Sequence, residues 1–164
     1  MSARRALAVA LVALLVGVAG CTGTVANVAN DGEYDRTTVT VHDEAGEELA
    51  AAEVRVADTA SKRYTGLSNT ESLGENEGML FVHDSEDEYA YVMRDMAFPI
   101  DIVFVAANGT ITRIHSAELP PNGTSGSDLD RYRGAGKYVL EVPYNWTERN
   151  CVSEGDRIEI AGDY

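Results

Sequence analysis

Lysine is almost missing from this chain. Lys62 and Lys137 are the only two, and arginine supplies the rest of the 13 basic residues. Against them stand 27 acids, for a formal net charge of −14 and an isoelectric point near 4.4. A surface so short of positive charge repels nucleic-acid phosphates and anionic headgroups at long range, so no nucleic-acid partner is expected. Cysteine is scarce as well, with two residues, Cys21 and Cys151. Histidine is limited to His42, His83 and His115, too far apart in sequence to form a metal motif on their own. No Gly-rich phosphate loop joins a strand to a helix, and neither His-Glu-x-x-His nor Gly-x-Ser-x-Gly occurs. No metal site and no cofactor is therefore expected. Hydrophobic residues still make up 45% of the chain, enough for one domain with a real core.

The longest charge-free apolar run is Ala6 to Gly20, shorter than the roughly 20 residues a membrane span needs. It follows Arg4-Arg5 and ends in Val18-Ala19-Gly20-Cys21. A basic start, a short apolar stretch and small residues before a cysteine read as an export signal over residues 1–20, with lipid carried on Cys21. An uncleaved anchor helix is the alternative. The twin arginines also match part of a second export route. Cleavage before Cys21 removes two arginines and no acid, which moves the net charge from −14 to −16. Residues 21–36 are small and polar and read as a lipid-anchored flexible tether, leaving 37–164 as the globular domain. The expected setting is the outer face of the cell membrane. With Cys21 lipidated, Cys151 has no partner in the chain and reads as a buried hydrophobe. Sequons at Asn108, Asn122 and Asn145 fit an exported protein and are candidate glycosylation sites. The acidic, lysine-poor composition suits concentrated salt, where ions screen self-repulsion, as in a halophilic archaeon.

Within the domain, alternation and β-branching mark strands at 37–41, 53–59, 76–83, 89–93, 100–106, 110–115, 137–143 and 155–162. Thr59 to Leu67 reads as a short helix and Tyr144 to Asn150 as a helical turn. Asn108-Gly109 between two β-rich runs is a hairpin turn, since both residue types tolerate positive φ. The expected fold is β-rich α+β: a small antiparallel barrel-like sheet of about eight strands with two short helices.

Several ordered pieces carry a family likeness: Arg63 with Gly66-Leu67, Gly78-Met79-Leu80-Phe81, Met93-Arg94, and Pro99-Ile100-Asp101-Ile102. The Asn108-Gly109 turn, Pro120-Pro121, Tyr138-Val139-Leu140-Glu141 and Gly155-Asp156 follow in the same order. From Val54 to Ile160 the chain resembles the DUF192 family, a domain of unknown function. The family pattern often reads Phe-Trp-Met-Lys-Asn-Thr where this chain has Tyr91-Val92-Met93-Arg94-Asp95-Met96. The resemblance implies a fold and a setting rather than a reaction.

The charges in the apolar stretch from Tyr89 to His115 are the candidate site. Met93, Arg94, Asp95 and Asp101 are the candidate binding residues for a small molecule or a partner protein. Asp101 lies in the apolar run Ile100 to Ala106, where a lone carboxylate costs several kcal/mol unless paired. Two readings follow. In one, Arg94 pairs with Asp101 as a structural clasp; in the other, the charges hold a ligand. A hydrolase using Asp101 and His115 as an acid–base pair is the alternative to a binding module, without a recognisable nucleophile. His83 with Asp84, Glu86 and Asp87 reads as a solvated acidic loop rather than a cation site. Asp128 and Asp130 are too few for a calcium loop.

Overall fold

The computed structural model describes residues 34–164. The expected export signal, Cys21 and most of the expected tether lie outside the described residues. Two alternating strands begin the domain, β1 (Asp35–His42) and β2 (Glu48–Ala57), joined by a tight turn and paired antiparallel. β1 starts two residues earlier than its β-branched run, inside the segment read as tether.

The next connection decides the topology. Thr59 caps α1 (Ala60–Thr65) by accepting the Lys62 N–H at 3.3 Å. Gly66 ends it at φ 50°, a left-handed value that a residue with a Cβ resists. The chain then returns as β3 (Glu77–Tyr91) parallel to β2. Parallel neighbours need a crossover, so a helix between two strands carries α1 over one face of the sheet. The sheet is thus mixed at this pair, where an all-antiparallel sheet was expected.

β4 (Ile100–Val105), β5 (Ile111–Ala117), β6 (Tyr132–Pro143), α2 (Trp146–Arg149) and β7 (Arg157–Ile160) follow, with a 3₁₀ turn at Gly126–Asp128. The strand order is β5-β4-β6-β3-β2-β1-β7. Seven strands stand where the spacing gives eight, because two apolar runs belong to one strand. Asp84 to Glu88 continues β3 as an exposed bulge, with the pairing to β6 shifting between Val82 and Asp87. The sheet curls until its ends meet. Gly109 at the β4–β5 turn accepts the Ile158 N–H at 2.7 Å, and Ile111 donates to the Asp156 carbonyl at 2.8 Å. In that turn Gly109 alone has positive φ.

Curling gives the sheet two apolar faces. The inner one gathers Val39, Val41, Val54, Leu80, Val103, Leu140, Val142 and Ile158 around Trp146. The outer one holds Met79, Phe81, Ile100, Ile102, Phe104 and Val139, covered by Leu67 and Met93. α1 and the turn after β3 roof this second face, and the cleft described next lies between roof and sheet.

Candidate functional site

The charges singled out in the sequence separate in space. Asp101 is fully buried on the inner face. Its carboxylate accepts from Ser116 Oγ at 2.9 Å, Asn145 N–H at 3.1 Å, Thr147 N–H at 2.9 Å and Thr147 Oγ1 at 2.7 Å. Asn145 and Thr147 open α2, so Asp101 caps a helix from a neighbouring strand. Arg94 takes no part. Its guanidinium donates to the Tyr64 carbonyl and lies 4.1 Å from the Tyr64 ring centroid. The expected Arg94–Asp101 clasp is replaced by a clasp between Asp101 and α2, for which four donors serve better than one cation.

The acid–base pair fails on register. Asp101 lies opposite Ser116, and His115 opposite Ile102. Paired residues share a face and successive residues alternate, so Asp101 and His115 point to opposite sides of the sheet. His115 contacts Phe104 and Tyr132 on the outer side and hydrogen-bonds the Arg133 carbonyl at 2.8 Å. Met93 is buried in the outer core, and Asp95 projects outward at φ 54°. Of the four candidate binding residues, only Arg94 borders the cleft beneath α1. Arg94 also joins Met93 and Asp95 beside a smaller hollow of about 240 Å³ against the Pro120–Gly126 loop. Asn108 and Asn122 are exposed, while Asn145 adopts a left-handed conformation at the start of α2. Cys151 is exposed rather than buried, in a turn at φ 57°.

The cleft beneath α1 has a volume of about 370 Å³ and lies between α1, the far half of β3 and β6. Each element supplies a different chemistry. α1 brings Arg63 and Tyr64; Arg63 Nη1 ties the helix to the sheet by donating to the Asp58 carbonyl at 2.8 Å and the Val82 carbonyl at 2.7 Å. Gly66 lets the chain leave α1 close to Phe81, whose Cζ lies 3.3 Å from where a Cβ would stand. β3 brings His83, Tyr89 and Tyr91. The His83 ring stacks on Tyr89 with centroids 3.6 Å apart, and its Nε2 shares a hydrogen bond of 3.0 Å with the Tyr91 hydroxyl. Burial and the nearby Arg63 push His83 down to about 4, so it is neutral at physiological pH. Burial, aided by Glu141, raises Tyr91 far above the ordinary tyrosine range.

β6 brings Glu141, which sequence reasoning missed. It pairs with Met79 on one side and Ile102 on the other, within the outer apolar face. It is 6% exposed and lines the cleft, and no side-chain hydrogen bond or ion pair reaches its carboxyl among the described residues. Burial alone raises it to about 8, so it carries its proton at pH 7. The signal was there: Glu141 breaks the apolar run Tyr138 to Val142 as Asp101 breaks Ile100 to Ala106.

Two solved structures share this architecture. One is a candidate transcription regulator from Sinorhizobium meliloti 1021, 29% identical, with a TM-score of 0.69 over 79% of this chain and 97% of that one. The other is a protein of unknown function from Novosphingobium aromaticivorans DSM 12444, 27% identical, with a TM-score of 0.65 over 74% of this chain and 83% of that one. No curated protein matches the sequence. The family model described as "Uncharacterized ACR" matches residues 40–160, from within β1 to the end of β7. With the match running through every strand and both helices, the chain belongs to the DUF192 family.

Proposed function

We propose that the chain is a binding module, held on the outer face of the cell membrane through lipid on Cys21, that takes a small-molecule ligand in the cleft beneath α1. Glu141 carries the reading. A carboxyl at 6% exposure with no partner is costly to keep, and the cleft it lines is where a ligand has room to meet it. A neutral histidine, three phenols and two arginines border the same space, the mixture of apolar wall and convergent polar groups that ligand sites share. The hydrolase alternative loses its support with Asp101 and His115 on opposite faces. The name of the Sinorhizobium meliloti relative does not transfer, because 27 acids against 13 bases oppose a DNA backbone.

The tether rests on Arg4-Arg5, the run Ala6 to Gly20 and the small residues before Cys21. A single acyl chain binds membranes only marginally, so stable attachment implies more than one alkyl chain. Two experiments test the reading separately. In an amide NMR fragment screen on the full chain, hits are expected to move residues 60–68 and 89–96; hits that map elsewhere overturn the cleft. Cys21→Ala is expected to release the protein to the soluble fraction or to leave the signal uncleaved. Normal processing with unchanged attachment overturns the anchor.

A further inference from the structure

We propose that the ligand of this cleft is a small organic anion, a carboxylate on an apolar or aromatic body, gripped by Arg63 and Arg94 with Glu141 donating a hydrogen bond; this rests on the cleft being the binding site. The charge pattern points that way. The protein carries a net −14, yet the full charges lining the cleft at neutral pH are two guanidinium groups. Glu141 is the one carboxyl in the lining, and it is buried without a cation beside it.

Neither arginine is spent on a carboxylate. Arg63 bonds two carbonyl oxygens through Nη1, and Arg94 bonds the Tyr64 carbonyl. The nearest acid to Arg94 among the described ion pairs is the exposed Asp95, with Oδ2 4.0 Å from Nε, beyond hydrogen-bond reach. An arginine offers five N–H donors in a planar fork, so donors remain on both side chains for a carboxylate. Phe81, Leu67 and Met96 supply the apolar wall for the ligand's body. A protonated carboxyl donates to a carboxylate, whereas an ionised one repels it.

That last point gives the site a pH dependence. The titratable and charged groups that line the cleft with Glu141 are Tyr91, His83 and Tyr89 on β3, Arg63 and Tyr64 on α1, and Arg94 on the turn beyond β3. β4 faces Glu141 with Ile102, and His115 on β5 lies on the same face against Phe104, outside the cleft lining. Burial holds Glu141 near 8 and His83 near 4, so between pH 7 and 9 Glu141 is the group of these two that changes charge.

The test uses the full chain at one fixed salt concentration and three probes of one shape: benzoate, benzyl alcohol and benzylamine. Amide shifts locate each probe and ligand-observed NMR gives the affinity. At pH 7, benzoate is expected to shift cleft amides and to bind at least about 10-fold more tightly than benzylamine. Arg94→Gln is expected to weaken benzoate about 5-fold or more while the chain stays folded, and Arg94→Lys to weaken it less. From pH 7 to 9 benzoate affinity is expected to fall about 10-fold in the native chain, following loss of the Glu141 proton, and to stay level in Glu141→Gln. Benzylamine or benzyl alcohol binding the cleft as tightly as benzoate overturns the anion while leaving the cleft intact. An equal pH response in Glu141→Gln overturns the role of Glu141. If none of the probes moves a cleft amide, the proposal falls together with the cleft reading.

Discussion

Two buried carboxyl groups, on Asp101 and Glu141, show how one chemical group serves two ends. Asp101 meets four donors, so its charge is satisfied where it stands. Asp101→Asn turns an amide toward donors that need an acceptor. It is expected to destabilise the fold by about 3 kcal/mol, read from denaturant midpoints. Arg94→Met is expected to cost under about 1 kcal/mol, and the two changes to add within about 0.5 kcal/mol. Strong coupling between them would restore the clasp inferred from the sequence. Glu141 behaves in the opposite way. Its folded pKa, raised to about 8 from an ordinary 4.5, means the native state keeps a proton that the unfolded chain releases. Its contribution is complete below about pH 4.5 and drains away as pH rises toward 8, by at most roughly 5 kcal/mol. Glu141→Gln is therefore expected to flatten the fall in melting temperature between pH 5 and 9 and to exceed the native chain at the alkaline end. Both acids interrupt apolar strands, yet sequence reasoning singles out Asp101 and passes over Glu141. It does not reveal their partners, because these come from residues distant in the chain: Asn145 and Thr147 for one, the α1 cleft for the other.

At the scale of elements, most strands and both helices are legible from alternation, β-branching and Thr59 and Gly66 at the ends of α1. Two things are not. Asp84 to Glu88 reads as a loop because charges usually break a strand, yet these side chains face solvent and the backbone continues as a bulged strand. The parallel pairing of β2 and β3 is likewise invisible in local pattern, since strand direction is fixed by the crossover and not by composition. The Asn108-Gly109 turn is legible, but only part of its reason. Gly109 sits at φ 87°, and a Cβ there would lie 2.6 Å from the Ile158 carbonyl oxygen. The glycine serves the closure of the sheet as well as the hairpin. Gly109→Ala is expected to cost about 2 kcal/mol or more and to speed amide exchange at Ile158 and Ile111 before other strands respond. Uniform protection across the sheet in that variant would place the strain elsewhere.

For the whole molecule, charge is the property that composition makes most readable. A chain with a net charge of −14 repels itself, and ions screen that repulsion. The melting temperature is expected to climb steeply from low to molar salt; a flat profile would mean the acids are spaced too widely to interact. Topology adds what composition leaves out. β1 lies between β2 and β7, so one edge of the first strand waits for the last: Val39 pairs with Ile160, and Val41 with Ile158. For the ribosome this sets an order of events. Until residues 157–160 emerge, β1 has one neighbour, and the turn at Gly109 has nothing to close against. The sheet is thus closed only once β7 is available both to β1 and to the Gly109 turn. Chains stalled at residue 150 are expected to be cut readily by protease, and chains that include β7 to resist it.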